Sequence, residues 1–306
     1  MMIDPGLIDG FLSASVRIAT PLLLAALGEM LAERGGVVNL GVEGAMLCGA
    51  LAAAIGASTG GAWTGLAASA AAGLALATVF ALAVIGARAD QIITGTATTL
   101  LAVGLTGAVY QAAFGATGAG LSLPTLAPAP MPGLARIPFV GPALFNQPVT
   151  TYLALVAVPL CWWFLFRTRV GLALRAVGES PVHARAAGVA TRRLQFAATL
   201  AGGAFAGLAG GTLVLAQVGT FAERMTAGRG FIAIAIVVLG RWHPVGVLGA
   251  ALLFGAATAL QFVFQAMGLD VPYQLFLMLP YVLTLLLLAG LVGGVRAPAA
   301  LGRPVE

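Results

Sequence analysis

Long apolar runs separated by short polar breaks dominate the chain, and a helix that crosses a membrane needs about 20 such residues, within a range of about 17 to 25. On that measure the predicted spans are Phe11 to Leu31, Leu40 to Ala57, Trp63 to Ala87, Ile92 to Phe114, Val149 to Phe166, Leu194 to Val218, Val245 to Met267 and Tyr273 to Gly293. A shorter run, Phe231 to Gly240, is strongly apolar but reaches only about half that length. The pattern predicts an all-α, polytopic integral membrane protein of about nine transmembrane helices, with about eight to ten compatible with the runs. A single transmembrane domain is expected over 1–306, with an external loop at 115–148 and a basic cytoplasmic segment at 167–193.

Two of these spans are weak. Leu40 to Ala57 is interrupted by Gly41, Gly44 and Gly49, and Phe231 to Gly240 is short. Counted from Phe11 and from Leu194, each is the second span, and they enter from opposite sides. Short or glycine-broken segments at matching positions of two halves are the pattern of an inverted repeat with a solute path between them. In the span that begins at Leu194, Gly203, Gly207 and Gly211 recur every four residues, a flat stripe that admits another helix at close range. Its expected use is packing inside the bundle; a subunit interface is the alternative.

Charge orients these elements. The stretch Arg167 to Arg193 holds six of the fifteen arginines, and short basic loops stay on the cytoplasmic side. Placing it inside also places Glu33, Arg34, Arg88, Arg241, Arg296 and Arg303 inside, and the N-terminus outside. The connection holding Glu223, Arg224 and Arg229 is the exception: it comes out external despite two arginines. The loop from Gly115 to Pro148, rich in proline, is expected to be extended or irregular, as a spacer or as a contact surface for something outside the cell. Met1 to Gly10 carries Asp4 and Asp9 and no basic residue, so it lacks the n-region of a signal peptide and the first span is expected to be retained.

Composition excludes several functions. Sixty per cent hydrophobic and eight per cent charged residues rule out an ordinary soluble domain, where about a quarter are charged. The net charge of +5 comes from arginines at span ends facing anionic headgroups of the lipid bilayer, so no nucleic-acid partner is expected. Lysine is absent, and a phosphate-binding loop needs one, so the chain is not expected to hydrolyse ATP. No catalytic residues stand out. Cys48 and Cys161 lie in apolar runs, and His183 and His243 lack metal-ligand spacing, so no metal site is expected.

Within the basic stretch, Gly178 suits a helix end, Ser180 a new cap, Pro181 a first turn and Gly188 a C-terminal stop. This predicts a short surface helix from Pro181 to Ala187, either a solvated topology-setting loop or a docking element. The run RAVGESPVHARAAGV, together with GEMLAERGGVVNLGVEGAMLCGA and GRGFIAIAIVVLGRWHPVGVLGAALLFG, resembles permease subunits of ATP-binding-cassette importers. The family is the one that handles branched-chain amino acids, ribose-type sugars and nucleosides, and the first of the blocks most resembles its nucleoside-type branch.

That resemblance implies a chain that forms the translocation path for a nucleoside or related small polar solute by alternating access, in a bacterial inner (plasma) membrane. A simple sugar is the next choice and a branched-chain amino acid the third. It implies a cytoplasmic ATPase that binds ATP and Mg, a second, related permease subunit and an extracytoplasmic substrate-binding protein, with no cofactor in this chain. Coupling to the ATPase then falls on Gly178, Glu179, Ser180, Pro181, His183, Ala184, Arg185, Ala187 and Gly188. An ion-coupled secondary transporter is the alternative, although no deeply placed carboxylate pair suggests its ion site.

Polar residues within or beside spans are candidates for the solute path because an ionisable group at the bilayer centre costs at least about 2.5–3.5 kcal/mol. Asn39 and Glu43 share a helix face near the inner junction of the first two spans, where Glu29 and Glu33 also cluster. They either line the inner path or complement the helix start, the latter being favoured for Glu43. Thr94 with Thr98, and Gln261 with Gln265, share faces and suit either an uncharged solute or helix-to-helix hydrogen bonds.

Overall fold

The computed structural model describes residues 5–115, 122–137, 140–266 and 297–303, with isolated helical positions at 274, 275, 278, 282 and 285. The first four helices are α1 (Pro5–Arg34), α2 (Val42–Gly60), α3 (Ala62–Ala81, continued by a π-helical turn Leu82–Gly86) and α4 (Gln91–Phe114). Strand β1 (Pro128–Pro130), helix α5 (Val140–Phe145) and strand β2 (Asn146–Pro148) follow. Then come α6 (Val149–Arg167), α7 (Arg169–Glu179), α8 (Pro181–Ala186), α9 (Thr191–Thr212, continued by a π-helical turn Leu213–Val218), α10 (Arg229–Leu239) and α11 (Pro244–Ala266). Among the described residues seven helices are long and apolar enough to cross a membrane, and α10 is apolar but short. The expected span Tyr273 to Gly293 lies outside the described residues apart from the isolated positions, as do Met267 and Arg296.

Helix α9 is the hub of the bundle because its small residues let three helices touch its backbone. A Cβ on Gly202 would lie 2.9 Å from the Gly28 carbonyl of α1, and one on Gly210 would collide with the Met46 carbonyl of α2. Gly203 and Gly207 press on Gly73 and Ser69 of α3, and Gly211 meets the Ser69 hydroxyl, so the stripe is used within the chain. Leu27, Met30, Met46, Leu213 and Ile236 fill the space around these contacts and are fully buried.

Several expected boundaries move for local reasons. Helix α1 begins at Pro5, beyond the apolar run, and ends at Arg34. Helix α2 starts at Val42 because Asn39 Oδ1 accepts the Gly41 amide at 2.9 Å, a turn that closes before the helix opens. The loop expected to be extended or irregular is partly built: β1 and β2 pair antiparallel, and α5 packs against α1. Gln147 is buried and its side-chain amide donates to the Ser13 hydroxyl at 3.0 Å and the Ala143 carbonyl at 2.9 Å. Leu123 and Leu126 lie over Leu215 and Phe221, and the Leu126 amide donates to the Leu215 carbonyl at 2.8 Å.

The basic stretch holds two helices where one was expected. α7 precedes α8, and Gly178, expected to end a turn, lies inside α7. Its missing Cβ is needed for contact with the Arg34 carbonyl at the end of α1. The Ala300 amide donates to the Gly178 carbonyl at 2.9 Å, and Gln91 Nε2 donates to the Arg303 carbonyl at 2.7 Å. The C-terminal segment 297–303 therefore packs at the same end of the bundle as the basic helices.

Candidate translocation site and coupling surface

The two weak spans meet. Glu43, in the first turn of α2, aims its carboxyl group at the start of α10, and three donors converge on it. Its Oε1 accepts from the Thr226 hydroxyl at 2.6 Å and the Gly228 amide at 2.8 Å, and its Oε2 accepts from the Gly230 amide at 2.7 Å. Free amides and an aligned dipole make a helix N-terminus positive, so a buried carboxyl is a strong cap for it. The structural role expected for Glu43 is therefore played at the start of another helix, and α10 has no side-chain cap of its own.

The depth of this contact follows from α4. Gly44 packs on α4 between Thr98 and Ala102, and Gly41 packs on the Thr98 hydroxyl. At a rise of 1.5 Å per residue these positions lie about 10–17 Å from Gln91 at the basic end. A hydrocarbon layer is about 30 Å thick, so α10 begins near its middle and runs only to the basic end. It is a half-helix. The chain that feeds it, Gly219 to Gly228, is irregular, with positive φ at Gly219, Arg224, Ala227 and Gly228. The segment expected as an external connection with two arginines thus dips into the membrane.

The remaining expected path residues fall into separate places. Asn39 is buried, its amide donating to Glu29 Oε1 at 2.8 Å, and it shapes the turn before α2. Thr98 is buried and donates to the Gly95 carbonyl at 2.9 Å, and Thr94 is half-buried one turn earlier. Gln261 is buried near the far end of α11 and Gln265 is exposed one turn later. These glutamines lie beyond Gly255, which packs on Ser15 and Ala19 in the half of α1 remote from the basic helices, away from the threonines. Glu29 and Glu33 are both fully buried one turn apart near the C-terminal end of α1. Glu33 accepts from the Trp242 indole, so each carboxyl ties α1 to a following turn.

Sequence reasoning missed Glu223, Arg224 and Gln111. Glu223 and Arg224 are exposed, and Gln111 Nε2 of α4 donates to Glu223 Oε1 at 3.4 Å. The signal was present as the one connection whose charge broke the orientation rule. Only 22% of the most apolar stretch of α4 is buried, against 72% for α2, so α4 turns a broad face away from the chain. A cavity of about 250 Å³ lined by Leu31, Phe164, Leu174, Leu194 and Ala198 is almost wholly apolar and does not suit a polar solute.

At the basic end, Ser180 caps α8 through its hydroxyl, which accepts the His183 amide and lies 2.6 Å from His183 Nδ1. Pro181 sits in the first turn and Gly188 follows the helix with φ of 83°, the stop read from the sequence. Val182, His183, Arg185, Ala187 and Glu179 are exposed, with Val182 56% accessible. Ala184 differs: it is buried against the chain itself and is not offered to a partner.

The family model described as branched-chain amino acid transport system / permease component matches residues 11–288. The guanosine ABC transporter permease protein NupQ of Bacillus subtilis is 37% identical over 301 residues, covering 95% of this chain and 94% of that protein. The nucleoside ABC transporter permease protein NupC of Lactococcus lactis is 34% identical, covering 93% of this chain and 92% of its own. A putative glucose ABC transporter permease protein, TsgC13 of Haloferax volcanii, is 44% identical over 85% of this chain and 79% of its own. No solved structure matches the chain.

Proposed function

Since the chain belongs to the branched-chain amino acid transport system permease family, and is thereby a multi-pass inner-membrane permease subunit of an ATP-binding-cassette importer, we propose that its solute is a nucleoside or a related uncharged polar compound. The chain is not an enzyme: ATP hydrolysis belongs to a partner ATPase, and a substrate-binding partner belongs to the same system. The ion-driven alternative has no place in that family.

The observation that carries the solute class is the capped half-helix. A half-helix N-terminus near the bilayer middle attracts anionic groups of a solute when it is left open. Here Glu43 already fills it with three hydrogen bonds, so the start of α10 offers no such positive end and favours a neutral solute. Relatives whose names specify guanosine or nucleosides align over nearly the whole chain, which supports the nucleoside within that class. A simple sugar is second.

The finer assembly is part of the proposal. The ATPase, holding ATP and Mg, seats its groove on the exposed side of α8; a second, related permease faces this one; and a binding protein delivers solute at the opposite end. Ser180, Pro181 and Gly188 fix α8 at both ends, which lets it transmit force. Uptake by the reconstituted complex tests the solute. Saturable guanosine transport is expected, and preference for leucine or for an anionic nucleotide overturns it.

A further inference from the structure

We propose that Glu223 and Gln111, with the irregular segment around Ala222 to Arg224, form a solute-contacting subsite in the outer half of the translocation path, recognising hydroxyl and amino donors of an uncharged ring. The proposal rests on the importer-permease reading and adds to it a place and a chemistry.

Depth comes first. From Gln91, the helical rise puts Gly107 about 24 Å and Gln111 about 30 Å toward the outer side. The Glu223 carboxyl lies across both: its Oε1 is 3.4 Å from Gln111 Nε2 and 3.9 Å from where a Gly107 Cβ would be. Three residues later Thr226 reaches Glu43, about half-way through the layer. The chain therefore descends toward the middle of the membrane through a run of turns instead of a continuous helix, the Met225 amide donating to the Ala222 carbonyl at 3.1 Å and the Ala227 amide to the Arg224 carbonyl at 3.0 Å.

Irregular backbone at membrane depth is tolerated only where protein buries it or where it lines water. Ala222, Glu223, Arg224 and Ala227 are exposed, so this chain does not bury it. An exposed glutamate and arginine are equally unsuited to lipid tails. Arg224 and Ala227 also hold positive φ without being glycine, backbone strain that persists where the surroundings fix it, as the Glu43 contacts do here. Lipid tails are thereby excluded; burial by the second permease would block the labelling tested below, and a watered path, with this segment as part of its wall, allows it.

The chemistry then narrows. A glutamate carboxylate only accepts hydrogen bonds, and a glutamine amide both donates and accepts. Beside each other they suit a solute presenting several donors and an acceptor close together, such as a ribose diol or an amino-bearing base. At 3.4 Å their mutual bond is long, so a solute donor can replace it.

The test uses the whole reconstituted transporter and intact cells. A membrane-impermeant thiol reagent applied outside should label Ala222→Cys above the background of Cys48 and Cys161 in the parent chain, and transported solute should slow that labelling. Glu223→Gln and Gln111→Ala should each raise KM about tenfold, as loss of one hydrogen bond to solute predicts, with Vmax within about twofold. Guanosine and glucose are the probes, and KM is measured for whichever is carried. Carriage of glucose alone would sink the nucleoside reading while leaving the subsite testable with glucose. Labelling that is absent at position 222, or is indifferent to solute with KM unchanged in both variants, overturns the subsite whatever the solute.

Discussion

Removing the Glu43 cap should loosen α10 selectively. In Glu43→Ala the amides of Gly228 and Gly230 lose their acceptor inside the bundle, while the Thr226 hydroxyl can turn elsewhere. Each orphaned buried donor costs roughly 1–3 kcal/mol, so the variant should lose about 2–6 kcal/mol at this contact. Glu43→Gln keeps one acceptor oxygen and turns an NH2 group toward a donor, an expected loss of about 1–3 kcal/mol. That range corresponds to about a 5- to 150-fold rise in the opening equilibrium of the half-helix. The assay is thiol labelling of Ala233→Cys, a position fully buried on α10, in the purified complex. Labelling should accelerate in the order parent, Glu43→Gln, Glu43→Ala, with transport falling in the same order. A Glu43→Ala protein that labels at the parent rate would refute the assignment, because the cap would then contribute nothing to holding α10.

Gly210→Ala drives a methyl into the Met46 carbonyl and should lower the thermal stability of the detergent-solubilised protein by about 1–3 kcal/mol or more. Ala187→Trp should leave folding intact, since Ala187 is exposed, but weaken co-purification of the ATPase or uncouple hydrolysis from transport; Gly188→Val should act similarly through its φ of 83°, and two normal variants would leave α8 a topology-setting loop only. His243 is pushed below its ordinary value of 6.5 by burial and then by the Arg34 guanidinium. The unfolded chain therefore takes up this proton first, so stability is full above about pH 6.5 and declines as pH falls below it, and melting curves from pH 8 to 5 should show a shallower decline in His243→Gln.

At the basic end the sequence was a good guide, since helix caps are local: Ser180, Pro181 and Gly188 stand within one turn of the backbone groups they serve. The same local logic misplaced Gly178, because what it touches is a distant part of the chain. Gly178 is spent on Arg34, and Ala184 is buried against the permease, where sequence had offered it to a partner. Glu43 shows the limit most clearly, since its role as a cap was legible but the helix it caps starts at Arg229.

By itself the sequence determined the helical class and the seven long spans among the described residues, because length and apolarity of a run decide whether a helix can cross a bilayer. It could not determine depth. Hydropathy records how long an apolar run is and says nothing of where it starts, so Phe231 to Gly240 read as a weak span when it is a half-helix hung from Glu43. The tertiary structure decided that, because only the packing of α2 against α4 and α10 fixes the level at which Glu43 meets the start of α10.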